Sequence, residues 1–253
     1  MKILLTNDDG IFADGIYALF KEMKQLGDVI AVAPASEQSA VGHAITLMNP
    51  LRINEVNRHG EFFGYAVNGT PADCVKLAVH ALMEERPEVV VSGVNLGANI
   101  GTSVIYSGTV SAATEGTILG IPSIAVSLAT FSNPDFRFAS KFARKLASTV
   151  LEKGGLPRGT LLNVNIPALP EAEIAGVEIT CNSDSRFEDI FEKRLDPRKR
   201  VYYWSAGVEQ TFDLRDGTDS AALRAKKVSI TPIHFDMTDH AQVETIKSWN
   251  LGL

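Results

Sequence analysis

The chain begins with MKILLTNDDG, residues 1–10, and this stretch decides how the rest of the sequence is interpreted. Residues 3–5 form a short apolar run typical of a buried strand, and Asp8 and Asp9 follow closely. Adjacent carboxylates at the end of a buried strand repel each other and lose hydration, which is costly unless a cation compensates. Divalent Mg²⁺, Mn²⁺ or Ca²⁺ suits carboxylate oxygens. Because Asn-Asp-Asp-Gly is also common turn composition, this stretch alone leaves both a metal site and a solvated turn open.

Strand-like and helix-like segments alternate over the first two-thirds of the chain. Apolar residues at helical spacing follow the first strand, with Asp14 as the expected N-cap. Further along, we predict strands at 28–33, 45–56, 61–67, 89–91, 121–128 and 161–166, and helices that begin at Pro71 or span 110–119 and 136–151. This rhythm predicts a doubly wound α/β fold, in which helices cover a mostly parallel sheet.

Three polar loops follow predicted strands of this sheet. The first strand ends at Asp8 and Asp9, the second leads into a loop with Ser39, and the strand at 89–91 ends in a loop with Asn95. In doubly wound sheets, ligands bind beyond the carboxyl ends of the strands. We therefore expect these loops to converge, which favours a metal site over a solvated turn.

Two further segments carry groups suited to an anion. The loop after Asn95 has glycine at every fourth residue, which lets the backbone approach a ligand, and it includes Asn99. Ser107, Gly108 and Thr109 stand where a helix begins, and free N–H groups at a helix start favour phosphate. Ordinary turns and a serine or threonine N-cap without a ligand are the alternatives.

Several other chemistries lack their motifs. No Gly-x-Gly-x-x-Gly follows the first strand, and Walker A and Gly-x-Ser-x-Gly patterns are missing. These absences disfavour a cofactor-using α/β enzyme and a serine hydrolase. For His43, a hydrogen-bonded structural role is favoured over catalysis.

Composition limits the partners. The 253 residues suit one large domain, or one domain with an appendage. The net charge of −6 argues against non-specific nucleic-acid binding. Apolar runs fall short of the roughly 20 residues needed to span a bilayer, and no signal peptide is recognisable, so no membrane partner and a cytoplasmic location are expected. Cys74 and Cys181 lie among apolar residues and are expected to be buried, reduced thiols.

The last part of the chain differs in composition. We predict a catalytic core over 1–182 and, over 183–253, an extension that packs on another subunit. Strands near 201–204 and 228–233 and a helix at 238–249 are expected there. A basic cluster at 193–200 indicates either a solvated hairpin or a patch that attracts phosphorylated substrates.

Taken together, these motifs resemble the SurE family of stationary-phase survival proteins. They match in order and spacing over essentially the whole chain: Leu5–Gly10, Pro34 with Ser39, Gly69–Asp73, Ser92–Gly101, Tyr106–Gly116, Arg194–Arg198 and Tyr202–Trp204. The resemblance implies a Rossmann-like three-layer α/β/α core. It also implies a C-terminal β-hairpin and helix arm exchanged between subunits of a homodimer or homotetramer.

The resemblance also implies a function. It implies a metal-dependent phosphatase, a 5′/3′-nucleotidase that acts on nucleoside monophosphates, with short polyphosphate as a substrate of some relatives. One divalent ion per subunit, Mg²⁺ or Mn²⁺, would be held by Asp8, Asp9, Ser39 and Asn95.

The residues then suggest how catalysis would work. Ser107, Gly108 and Thr109 would hold the phosphate, and Asn99 would add a donor. Asp8 and Asp9 are the candidate catalytic residues, with Asp8 as the main candidate for general base in direct attack by water. An aspartyl-phosphate intermediate stays open, although Gly10 replaces the second aspartate of the Asp-x-Asp pattern. A metal-dependent nucleotide or phosphate sensor without turnover is the alternative function.

Overall fold

The computed structural model describes residues 1–249 and 251–252, apart from the side chains of 187–189 and 206–210. Its strands are β1 (Lys2–Thr6), β2 (Asp28–Pro34), β3 (Ile53–Arg58), β4 (Glu61–Val67), β5 (Val89–Leu96), β6 (Ser123–Ala129), β7 (Thr160–Pro167), β8 (Val177–Ile179), β9 (Arg186–Leu195), β10 (Val201–Thr211) and β11 (Val228–His234). Its α-helices are α1 (Asp14–Met23), α2 (Pro71–Leu77), α3 (Ser103–Tyr106), α4 (Gly108–Ile118), α5 (Arg137–Glu152), α6 (Asp219–Arg224) and α7 (His240–Lys247).

A central sheet of nine strands has the order β3-β4-β2-β1-β5-β6-β7-β11-β8. The six strands from β4 to β7 run parallel to their neighbours, while β3 and β11 pair antiparallel with β4 and β7. The chain moves outward from β1 to β2 and β4 on one side, then returns to β5 and continues outward on the other. The direction therefore reverses between β1 and β5, which is the topological switch point of the sheet.

Helices cover both faces of this sheet. Ile3 and Leu5 of β1 pack in the core cluster with α1 and α5, whereas Leu4 packs in the cluster with α2 and α4. Because successive strand residues point to opposite faces, a strand covered on both sides needs a continuous apolar run, and residues 3–5 supply it. The predicted three-layer α/β/α fold with a mostly parallel sheet is confirmed.

The region after residue 182 contributes one strand to the central sheet and also forms a separate hairpin. β11 joins the central sheet beside β7, and α6 packs against β11 and β7. In contrast, β9 and β10 form a separate two-stranded antiparallel hairpin. The basic cluster at 193–200 lies at the turn of this hairpin. The division into 1–182 and 183–253 stays a prediction, and the central sheet includes one strand from beyond that boundary.

Local expectations differ from the structure at four places. The strand expected at 89–91 extends to Leu96, so Asn95 lies within β5 and not in a loop after it. Ala13 is the N-cap of α1 and Asp14 is its first helical residue. The extended segment expected over 45–56 is reduced to β3, because residues 35–52 form a loop tied down by side chains. Cys74 is a buried free thiol as expected, but Cys181 is exposed. In the described part of the chain, no helix is long and apolar enough to cross a membrane.

Candidate metal and phosphate site

The turn after β1 is closed by its own asparagine. Asn7 Nδ2 donates to the Gly10 carbonyl at 2.9 Å, and the Gly10 N–H donates to Asn7 Oδ1 at 3.2 Å. Gly10 has a φ of +98°, which side-chain-bearing residues rarely adopt. The Asp8 carbonyl accepts from the Gln38 N–H at 2.8 Å, so the turn is also tied to the loop after β2. Asn7 and Gly10 thus shape the turn that presents the two aspartates.

Asp8 lies against the N-terminus of α4. Its side chain is 95% buried, and Oδ1 accepts a hydrogen bond from the Thr109 hydroxyl. Backbone N–H groups of Gly108 and Thr109 also face this carboxylate. A Cβ placed on Gly108 would lie 2.7 Å from Asp8 Cβ, so only glycine lets the helix approach so closely. Burial raises the pKa of Asp8, and the Thr109 hydrogen bonds oppose that rise.

Asp9 has a neighbouring like charge as well as burial to raise its pKa. Burial and the neighbouring charge of Asp8 raise the pKa of Asp9 to about 7, against an ordinary 3.8. The Leu96 N–H opposes this rise, while the charge of Glu37 adds to it. Two carboxylates so close together are fully ionised near neutral pH only if a positive charge joins them.

The other two predicted metal ligands offer neutral oxygens. Ser39 is exposed, and its hydroxyl donates to Glu37 Oε1 at 2.5 Å, so its oxygen lone pairs remain as acceptors. Asn95 is nearly buried, and its Nδ2 donates to the Gly97 carbonyl at 2.8 Å. The amide nitrogen is therefore committed, which leaves Asn95 Oδ1 as the acceptor of that side chain.

Asn99 is fixed by two asparagines of β7. The Asn99 carbonyl accepts from Asn163 Nδ2 and Asn165 Nδ2 at 2.8 and 2.9 Å, and the Asn99 N–H donates to Asn165 Oδ1 at 2.8 Å. The Asn99 side-chain amide donates to the Ser127 hydroxyl at 2.9 Å. These bonds hold the glycine-rich loop rigidly across the ends of β6 and β7.

A cavity of about 420 Å³ opens at the carboxyl ends of β1 and β5. Of the predicted site residues, Asp8, Ser39, Asn95, Asn99 and Ser107 line it. Asp9, Gly108 and Thr109 do not line this cavity, although Thr109 contacts Asp8 directly and Ser107 caps α4 by accepting from the Val110 N–H at 3.1 Å. The three predicted loops therefore meet, and the helix start lies beside them.

The Ser39 loop (residues 35–52) is anchored at several points. His43 Nε2 lies 2.9 Å from Glu115 Oε2, and Lys76 Nζ donates to the other oxygen of Glu115 at 3.1 Å. Thr46 donates from both its backbone and its hydroxyl to Asp73, at 2.9 and 2.6 Å. These contacts give His43 a structural role in holding the loop that carries Ser39.

The atoms that the four predicted metal ligands offer indicate which ion the site fits. Carboxylate, hydroxyl and amide oxygens are hard ligands that suit Mg²⁺, Mn²⁺ or Ca²⁺, whereas zinc sites draw on histidine nitrogen and cysteine sulfur. Within residues 1–249 and 251–252, no cluster of three or more His, Cys, Asp and Glu side chains offers a stronger alternative. The uncompensated carboxylates agree with this chemistry, so the residues present fit a hard divalent cation.

Sequence reasoning missed two groups at this site. Glu115 is 97% buried and joins His43 to Lys76, but a lone glutamate within a small-residue helix gave no sign of this. Phe131 lines the cavity with 83% of its surface exposed. Its signal was an isolated aromatic in the polar segment after β6.

Fold and site together define a doubly wound α/β protein with an acidic, oxygen-lined cavity at its switch point. Comparison with known proteins makes the assignment specific. The chain belongs to the SurE family, described as survival protein SurE, and the match spans residues 3–189.

Individual relatives match over nearly the full length. The chain is 50% identical over 251 residues to a protein named 5′-nucleotidase SurE from Syntrophobacter fumaroxidans, which covers 99% of this chain and 100% of that protein. It is 51% identical over 250 residues to the protein of the same name from Moorella thermoacetica, covering 98% and 96% respectively. The crystal structure of SurE protein from Aquifex aeolicus is similar with a TM-score of 0.86 and 40% identity, covering 99% of this chain and 100% of that one.

Proposed function

We propose that this chain is a divalent-metal-dependent phosphomonoesterase that releases phosphate from nucleoside 5′- and 3′-monophosphates, and from short polyphosphate. The observation that carries the proposal is the position of Asp8, buried against the N-terminus of α4 beside Asp9, in a cavity shared with Ser39 and Asn95. The name 5′-nucleotidase SurE of the full-length relatives supports the nucleotidase activity.

Asp8, Asp9, Ser39 and Asn95 would hold one Mg²⁺ or Mn²⁺ ion per subunit. Such an ion, when bound, neutralises charge on phosphoryl oxygens and lowers the pKa of bound water. Ser107, Gly108 and Thr109 would bind the phosphate at the start of α4, with Asn99 as a further donor. Asn163 and Asn165 would support Asn99 in this task, because they fix its backbone.

Asp8 would act as the general base. The Thr109 hydroxyl donates to its Oδ1, which holds the carboxylate as an acceptor ready to take a proton from the attacking water. In this scheme Asp8 takes a proton from the water, and the water oxygen forms the new bond to phosphorus as the bond between phosphorus and the ester oxygen breaks. The leaving ester oxygen takes up a proton and becomes the nucleoside hydroxyl, so the protons balance. Phosphate trapped covalently on Asp8 during turnover would contradict direct water attack.

A substrate panel with metal titration tests the proposal. Phosphate release from nucleoside 5′- and 3′-monophosphates is measured with Mn²⁺, with Mg²⁺ and with chelator, on the wild type and on Asp9→Asn. Asp28→Asn serves as the matched control, because Asp28 is an exposed aspartate at the start of β2. We expect metal-dependent release that Asp9→Asn abolishes and Asp28→Asn leaves intact. Binding without release would favour a sensor, and full activity of Asp9→Asn would refute the metal assignment.

The C-terminal segment would provide the subunit contacts. We propose that 183–253 contains an arm exchanged between subunits of a homodimer or homotetramer, while β11 of this segment stays in the central sheet. Support comes from the β9–β10 hairpin, which pairs with itself in a separate sheet and exposes Phe191, Tyr203 and Trp204. Light scattering measures the molar mass of the full chain and of a variant lacking 187–210. The mass of the variant should be that of a smaller oligomer if the segment provides the subunit contacts.

A further inference from the structure

Two exposed aromatic side chains line the same cavity as Asp8 and Ser39. Phe131 exposes 83% of its surface and Tyr106 exposes 63%. They come from separate elements, since Phe131 follows β6 and Tyr106 ends α3. Aromatic walls around a few convergent polar groups are typical of sites for small organic ligands. The cavity thus offers more than a place for phosphate.

The position of Phe131 is built into the backbone. A Cβ placed on Gly97 would lie 2.4 Å from Phe131 Cε1 and 2.6 Å from Cζ, so the ring rests directly on Gly97. Gly97 is itself fixed, because its N–H donates to the Leu128 carbonyl at 2.9 Å and its carbonyl accepts from Asn95 at 2.8 Å. Phe131 is therefore supported on one side by the backbone directly after β5, while most of its surface stays open.

Tyr106 is tied to the other side of the site. It directly precedes Ser107, the N-cap of α4, and its carbonyl accepts from the Gly42 N–H of the Ser39 loop at 3.0 Å. Tyr106 therefore lies beside the start of α4, where the phosphate is proposed to bind.

The hydroxyl groups near these rings are already used. Ser103 Oγ donates to the Ile100 carbonyl at 2.5 Å and accepts from the Ile100 N–H at 2.9 Å. Thr102 Oγ1 donates to the Ser185 carbonyl at 3.3 Å. Neither hydroxyl has a proton left to donate to the edge of a base, whereas every nucleobase has a π face that can stack.

We propose that Tyr106 and Phe131 form a stacking subsite for the nucleobase, a specificity element that favours nucleotides over other phosphomonoesters without selecting among bases. This inference rests on the proposed function and adds the part of the substrate that the phosphate and metal ligands do not touch. The volume of about 420 Å³ is in the range of sites for ligands of this size.

The test compares two substrates that differ only in the base. Hydrolysis and equilibrium binding of AMP and of ribose 5-phosphate are measured for Phe131→Ala and Tyr106→Ala. We expect kcat/KM and affinity for AMP to fall by about 5- to 150-fold, the range that one stacked base contributes. Ribose 5-phosphate should be unaffected, and Phe131→Trp should retain the preference for AMP. CMP and GMP should follow AMP, because stacking does not read base edges.

Phe212→Ala is the matched control. Phe212 is a half-exposed aromatic that lines a neighbouring cavity of about 380 Å³, which shares Phe131 with the site but not Tyr106 or Asp8. It should leave the AMP preference unchanged. An equal loss for Phe212→Ala, an equal loss on both substrates, or unchanged AMP kinetics would each overturn the subsite.

The equilibrium-binding measurements separate this inference from the proposed function. If the wild type binds AMP but releases no phosphate, the hydrolase proposal fails. The subsite is then supported if Phe131→Ala weakens AMP binding and overturned if it does not. If the wild type releases phosphate equally well from AMP and ribose 5-phosphate, the hydrolase proposal stands and the subsite falls.

Discussion

The contact between Gly108 and Asp8 offers a sharp test, because a single methyl group disturbs it. In Gly108→Ala the new Cβ would lie 2.7 Å from Asp8 Cβ and 2.9 Å from Oδ2, so relative to an ordinary contact of 3.4 Å it is short by up to 0.7 Å. Either α4 or the Asp8 turn must move by that amount. Overpacking of this kind costs about 1–3 kcal/mol, and the better helix propensity of alanine returns about 0.5–1 kcal/mol. We expect a net loss of up to about 2.5 kcal/mol in the free energy of unfolding.

Activity should suffer more than stability. Displacement of a reacting group by about 1 Å costs on the order of a hundredfold in rate, so we expect kcat/KM for a nucleoside monophosphate to fall about 10- to 100-fold. Urea unfolding gives the stability, and phosphate release at saturating metal gives the rate. Gly116→Ala is the matched control on the same helix, because its Cβ would lie 2.4 Å from Ser123 Oγ and its nearest contacts do not include Asp8.

The control separates a local effect from general damage to α4. Gly116→Ala should lose a similar amount of stability while the folded protein keeps its kcat/KM. Wild-type kcat/KM in Gly108→Ala, or an equal loss in both variants, would refute the idea that the Asp8–α4 contact positions a reactive group. Thr109→Val provides a second approach with little change in volume, since it removes the hydroxyl that donates to Asp8.

Other predictions concern the pH dependence and the anchors of the Ser39 loop. In the metal-free protein, the native state keeps the Asp9 proton up to about pH 7, while the unfolded chain loses it near pH 3.8. The free energy of unfolding should therefore fall as the pH rises through this window, and Asp9→Asn should flatten that dependence in urea titrations. Mn²⁺ should raise the Tm of the wild type but not of Asp9→Asn. Glu115→Gln removes the buried charge that binds His43 and Lys76. It should cost about 1–3 kcal/mol by urea unfolding and weaken metal binding in calorimetry, whereas Asp28→Asn at an exposed pair should leave both nearly unchanged. Thr70→Ala removes the N-cap of α2 and the hydrogen bond to the Ala44 carbonyl, and should lower the free energy of unfolding by about 0.5–2 kcal/mol. A loss of less than about 0.5 kcal/mol in urea unfolding would show that this anchor is dispensable.

Much of the fold could be predicted because its signals are local. The apolar runs at 3–5 and 89–91 lie between turn residues and are buried on both faces, so their sequence alone distinguishes them from half-exposed strands. The role of β11 could not be predicted in this way. Its apolar residues would suit a strand in an arm equally well, and only its pairing with β7 places it in the central sheet.

The site was predictable to the extent that it depends on strand ends. Asp8, Ser39 and Asn95 come together because the carboxyl ends of parallel strands share one edge. The sequence could not predict which hydrogen-bond partner each of these side chains has. Thr109 donates to Asp8 rather than lining the cavity, and this depends on an approach of α4 that only the three-dimensional packing around Gly108 reveals.

The surroundings of the two aspartates are unequal, and this inequality bears on how they divide the work. Asp8 has the Thr109 hydroxyl and the N-terminus of α4 to stabilise its charge, so its ionised form has partners within the protein. Asp9 has the Leu96 N–H against burial and two neighbouring carboxylates, and its pKa rises to about 7. Burial raises the pKa of both carboxyls, and for Asp9 the charges of Asp8 and Glu37 add to that rise. Environments that differ in this way commonly assign different roles to paired carboxylates. The two environments agree with the proposed roles, in which Asp9 is a metal ligand and Asp8, oriented by Thr109 at the start of α4, is the general base.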